Sequence, residues 1–128
     1  MDYNYVKFSS LVGKTLVSVV GKKGDNVILL KRSDGMVYKM FHRQDCCESV
    51  FVEDICGDID NLLDTPVLSA EEVVEDGDDN DWGTSTWTFY KLSTAKGDVT
   101  IRWYGESNGY YSESVDFVLV EGEPDGKH

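Results

Sequence analysis

The chain has 128 residues and a formal net charge of -12, with 24 Asp and Glu against 12 Lys and Arg; 41% of it is apolar and 12% aromatic. That length suits one domain with a core of its own, and that composition argues against a disordered chain. The acidity argues against a protein that grips a nucleic-acid backbone, which needs a basic footprint. It fits either an acidic mimic of nucleic acid or a small-ligand binder with a few placed cations.

The first element is a short helix within residues 2–12, on the spacing of Tyr5, Phe8, Leu11 and Val12 with Gly13 as the stop. The β-branched run Thr15–Val20 is the first strand, Asn26–Lys31 the second and Met36–His42 the third. They are joined by the turns Gly21–Asp25 and Ser33-Asp34-Gly35, so they predict a β-meander. Ser49–Ile55 is a fourth strand. Asp58–Leu63 makes one or two helical turns with Asp58 as N-cap, closed off at Thr65-Pro66. A fifth strand, Val67–Val74, runs into a crowded acidic stretch whose like charges predict an exposed loop over Asp76–Asp81. A long strand, Thr84–Thr94, follows and alternates aromatics with threonines. Lys96-Gly97-Asp98 turns the chain into the next strand, and Glu113–Val120 is the last. The expected class is α+β: mainly antiparallel sheet of seven or eight strands with two short helices. The domain spans residues 1–121, with 122–128 a disordered tail.

Asp98–Ser112 (DVTIRWYGESNGYYS) carries the most chemistry. Val99, Ile101 and Trp103 point one way; Thr100, Arg102 and Tyr104 point the other. The chain then turns through Gly105–Gly109, on the Asn108-Gly109 signal, into Tyr110 and Tyr111. Arginine among aromatics, with Trp87 and Phe89 on the neighbouring strand, is what a nucleobase and a phosphate need: a plane to stack on and a charge-assisted donor. The plainer alternative is an arginine snorkelling from an aromatic-rich sheet.

Other chemistries fare worse. His42, Cys46, Cys47 and Cys56 are zinc-ligand types, but adjacent cysteines in extended chain face opposite ways and there is no Cys-x-x-Cys pair. The plainer reading puts one of Cys46 and Cys47 in the core and the other outside. No nucleophile elbow and no phosphate loop occurs, so no catalytic residue, metal or cofactor is assigned. A metal-dependent hydrolase on His42, Asp45 and the cysteines is the weakest of the readings. The odd cysteine count, with no signal peptide and no long apolar run, predicts a reduced, cytoplasmic protein with no membrane contact.

The segments HRQDCCESV (His42–Val50), GDIDNLL (Gly57–Leu63), TWTFY (Thr86–Tyr90) and RWYGESNGYYS (Arg102–Ser112) resemble a family of small phage and prophage proteins. Most of its members are described only as a domain of unknown function, and it includes the first Thoeris anti-defence family, the phage sponges. The resemblance covers residues 9–120. It implies a non-enzymatic protein of the bacterial host cell's cytoplasm that binds a cyclic ADP-ribose isomer and holds it uncleaved, with cyclic oligonucleotides at a separate site in some members. It also implies a homo-oligomer, a dimer or hexamer, with pockets at subunit contacts. The family arginine matches Arg102 and its loop aromatic Trp82. A family asparagine falls at Ser85, a departure that bears on ligand choice. Tyr104, Asn108 and Tyr110 complete the candidate site, and Arg43 is the second-site candidate on local charge alone. The rival function is an acidic inhibitor that mimics nucleic acid and blocks a host nuclease such as a CRISPR effector.

Overall fold

Alternation of apolar and polar residues builds nearly all of this chain. A computed structural model describes residues 4–77 and 83–120. It contains β1 (Asn4–Tyr5), β2 (Leu16–Val20), β3 (Val27–Arg32), β4 (Val37–Phe41), β5 (Ser49–Cys56), β6 (Val67–Asp76), β7 (Thr84–Thr94), β8 (Gly97–Ser107) and β9 (Asp116–Val120). The α+β, mainly antiparallel class expected from the sequence holds. The strands number nine among the described residues, not seven or eight, and the helical share is two 3₁₀ turns, Phe8–Leu11 and Ile59–Leu62.

The strands divide between two sheets, of order β1-β9-β4-β3-β2 and β5-β8-β7-β6. Their inner faces share one core. Ile28, Leu30, Tyr38, Met40 and Phe117 come from the first sheet; Val50, Val52, Tyr90, Leu92, Ile101 and Trp103 come from the second. Trp103 is fully buried and its indole N–H donates to Met40 Sδ at 3.1 Å, so the one polar atom of the ring is satisfied across the sheet interface. Phe117 stacks on Tyr38 at 5.1 Å between ring centroids.

The expected N-terminal helix is replaced by β1, a 3₁₀ turn and the chain between them. Asn4 and Tyr5 pair with Leu119 and Val118 of β9. The residues that suggested helical spacing split: Phe8 and Leu11 are buried, Tyr5 and Val12 are about half exposed. Residues i and i+3 eclipse in a 3₁₀ turn, so a single turn buries the pair that matters. The second turn forms as expected, with the Asp58 carboxylate accepting from the Asp60 N–H at 3.0 Å.

Gly105 does not turn the chain. It continues β8, paired with Val50 and Thr86, and a Cβ there would crowd the Glu113 carbonyl and Val50. The turn comes at Asn108-Gly109, where Gly109 has φ +95°. Residues 78–81 of the expected acidic loop, and residue 121 with the whole of the expected tail, 122–128, lie outside the described residues; Asp76 belongs to β6.

Candidate functional site

The outward face of the second sheet gathers most of the candidate chemistry. Register places Phe51 opposite Tyr104, Tyr104 opposite Trp87, and Arg102 opposite both Asp54 and Phe89. The Trp87 and Tyr104 rings lie 4.6 Å apart and Phe51 meets Tyr104 edge-on at 6.1 Å. The Arg102 guanidinium carbon stands 5.6 Å from the Trp87 ring centroid, within cation–π range. All four of these side chains are half-buried, standing between core and open surface.

Arg102 is already paired. Its Nε donates to Glu53 Oε1 at 2.7 Å, and a terminal nitrogen lies 3.5 Å from Asp54 Oδ2. The hydrogen bond to Glu53, reinforced by both carboxylate charges, holds its pKa above the ordinary arginine value. A β-bulge between Val52 and Asp54 inserts Glu53 as an extra residue, which is how two consecutive acids reach one arginine. Alternation alone sends neighbours to opposite faces, so the pattern of the sequence hid this pair.

The remaining candidates are placed unevenly. Ser85 shares the Trp87 side of β7 but is 7% exposed; Gly77 sits over it, and a Cβ at Gly77 would collide with its hydroxyl. Tyr104 donates to Glu106 at 3.3 Å. Asn108 is exposed and its side-chain oxygen accepts from the Tyr110 N–H at 3.0 Å, so it shapes the turn. Tyr110 is 86% exposed. Arg43 belongs elsewhere: it follows β4 and its N–H donates to Asp116 of β9, in the other sheet. Trp82 lies outside the described residues.

Two carboxylates that sequence reasoning missed fix the loops around this face. Glu113 is buried and accepts from the hydroxyls of Thr84, Thr86 and Ser107. Burial pushes its pKa up; the three hydroxyls outweigh that and leave it below the ordinary value. It ties the end of β8 to the start of β7. Glu48 anchors the other loop. His42 Nε2 lies 2.6 Å from Glu48 Oε2, and the N–H groups of Asp45 and Cys46 donate to the same carboxylate. His42 Nδ1 lies 2.7 Å from the Ser114 carbonyl oxygen. Both ring nitrogens thus face oxygen atoms, one on each side of the ring. The His42 bond, helped by the two backbone donors, lowers the Glu48 pKa to about 2.

The chain bends at Cys46 and Cys47, so the alternation expected of them in extended chain does not apply. Both are exposed, not one inside and one out, and they are joined as a vicinal disulfide; of the three cysteines expected to be reduced, Cys56 is the free thiol. His42 is committed to the Glu48 loop rather than to a cysteine. Among the described residues no three His, Cys, Asp or Glu side chains gather as a metal site, and no helix is long and apolar enough to cross a membrane.

No curated protein and no solved structure matches the chain. A family model does, over residues 9–117. The chain therefore belongs to the family described as a domain of unknown function, DUF7448.

Proposed function

We propose that this protein is a non-enzymatic sponge: it binds a cyclic nucleotide immune signal, a cyclic ADP-ribose isomer, and holds it without cleavage. The observation that carries the reading is the outward face of the second sheet, where Arg102 lies over Trp87 and Trp87 lies against Tyr104. A nucleobase stacks on such rings, and a pyrophosphate takes a charge-assisted bond from the guanidinium. Arg102 leaves Glu53 for the phosphate, exchanging one exposed ion pair for another at little net cost. Asp54 then accepts from a ribose hydroxyl. Trp82, which matches the family's loop aromatic, is the further residue expected to bear on binding. Ser85 stands where the family asparagine would. A homo-oligomer, dimer or hexamer, supplies the exposed Asn108–Tyr110 turn of a second copy as the rim. Cyclic oligonucleotides occupy a separate site near Arg43. The protein acts in the cytoplasm of a bacterial host, on the side of a phage.

The test is sequestration. Purified protein is mixed with a cyclic ADP-ribose isomer made by a TIR enzyme, free ligand is measured after filtration, and the protein is then heat-denatured. Intact ligand should be withheld and then returned. Hydrolysed ligand on release means an enzyme, and an unchanged free concentration removes the reading for that isomer. Arg102→Ala and Trp87→Ala should each abolish withholding.

A second reading, an acidic inhibitor that mimics nucleic acid, is favoured by the exposed carboxylates of Glu71, Glu72, Glu75 and Asp76. It predicts the reverse pattern. Replacing those acids by Gln and Asn would then abolish inhibition of a host nuclease, and Arg102→Ala would not.

A further inference from the structure

The two long sheet edges are treated differently from that of β6. Along β5, Val52 exchanges main-chain bonds with Gly24 and Asp25. Along β2 and its approach, Asp64 bonds to the Leu16 carbonyl, and Leu63 and Pro66 bridge to Leu16 and Thr15. β6 ends the order of the second sheet; among the described residues Gly13 and Lys14 bond to its first residue, Val67, and the 3₁₀ turn Phe8–Leu11 packs against the strand without bonding to its main chain. From Ser69 to Asp76, among the described residues, its main chain pairs with β7 alone. That leaves roughly 26 Å of strand, at about 3.3 Å per residue, with every second N–H and C=O turned outward.

Beside this edge lies an open cleft of about 540 Å³. Phe8, Ala70, Val115 and Phe117 give it apolar walls, and Glu71, Glu72 and Asp116 outnumber the single cation Lys7 in its charged lining. Glu72 is held in place by the Tyr90 hydroxyl, which donates to it at 2.8 Å. Acids on an edge strand commonly serve only to blunt self-association. Charge blunting needs no cavity, and here an apolar cleft adjoins the same strand.

We infer that the open edge of β6 docks an extended basic segment of a partner protein by strand addition, with one apolar side chain of that segment seated in the cleft. The added strand satisfies the outward main chain. Its cations meet Glu71 and Glu75 on one side of the sheet and Glu72 and Asp76 on the other, because carboxylates stand on both sides of this strand. A second copy of this chain fits badly: antiparallel pairing of two β6 edges sets acids beside acids, which is destabilising. The inference uses the main chain of β6 and not Arg102, Trp87 or Tyr104, so it stands or falls apart from the nucleotide reading.

The probe is a short fluorescent peptide of alternating Lys and Val, titrated into the protein and read by anisotropy, with hydrogen exchange followed along β6. Binding should slow exchange at Ser69–Asp76. The Glu–Val peptide, and the Lys–Val peptide N-methylated at alternate residues, should each bind roughly tenfold or more weakly. The exposed double variant Glu71→Lys/Glu75→Lys should invert the preference between the Lys and Glu peptides. A central Phe should bind more tightly than a central Ala; equal affinities overturn the anchor. Equal binding of the N-methylated peptide, or binding without protection of β6, overturns strand addition. A dimer whose exchange protection falls on β6 overturns the basic partner in favour of a second copy.

Discussion

Trp103 and Trp87 hang from neighbouring strands of one sheet and face opposite ways. Trp103 is fully buried, bonded to Met40 and sealed between the sheets. Trp87 is half-buried, with one ring beside it and one cation over it. The inner face is packed as a core is packed, and little about it could change without cost. The outer face carries equally large rings that the fold does not require to be there. The first face accounts for why the chain folds; the second is the surface on which the proposed nucleotide reading rests.

The sharpest break of this comparison is the pair of truncations. Trp103→Ala should cost about 3–5 kcal/mol, the range for removing a large aromatic from a closed core, read as a fall in the urea midpoint. Trp87→Ala should cost about 1 kcal/mol or less. If the two lose similar stability, the outer rings are core and the division between the faces fails.

Next in size is the loop that leads into β5. Glu48 has a folded-state pKa of about 2 against an ordinary 4.5, because His42 and two backbone N–H groups favour its charged form. A carboxylate depressed on folding stabilises the protein above its unfolded pKa, and that stabilisation drains away as pH falls from about 4.5 toward about 2. The wild-type melting temperature should therefore drop over that window, and Glu48→Gln should start lower near neutrality and show a shallower drop. An identical slope in the variant would assign the acid sensitivity to other groups. Smaller and more local is Glu113→Gln. It weakens the three hydroxyl bonds that tie Ser107 to Thr84 and Thr86, so hydrogen exchange should quicken in residues 107–113 while the core amides of Ile101 and Trp103 stay protected.

The two faces were not equally legible in the sequence. Strict alternation located β7 to the residue, and the same pattern paired Trp87 with Arg102's strand. The capped turn at Asp58 followed from one side chain bonding two residues on. Alternation does not say which strands share a sheet. The meander of β2, β3 and β4 was readable from its turns, but β5 leaving for the second sheet and β9 returning to pair with β4 are long-range choices made by the core. The loops were least readable. Glu48 and Glu113 sit at no periodic position, and what marks them is a set of donors arriving from residues up to 29 apart in sequence. The bulge that brings Glu53 to Arg102 belongs to the same class: one extra residue, without a glycine to announce it.

That bulge gives the smallest predicted effect and the most pointed one. The Arg102–Glu53 pair is about one-third exposed on both sides, so it is worth up to about 1 kcal/mol, and Glu53→Gln should scarcely move the unfolding midpoint. Its effect on binding has a sign that depends on what Arg102 does. If the guanidinium must leave Glu53 to hold a phosphate, removing the competing charge should raise affinity for a cyclic ADP-ribose isomer by up to about fivefold, the equivalent of that same 1 kcal/mol. If Glu53 instead holds Arg102 in the orientation that the ligand meets, the variant should bind more weakly. Calorimetry on wild type and Glu53→Gln separates the two, and the second outcome would make the outer face a pre-organised surface whose charge pair is part of the site.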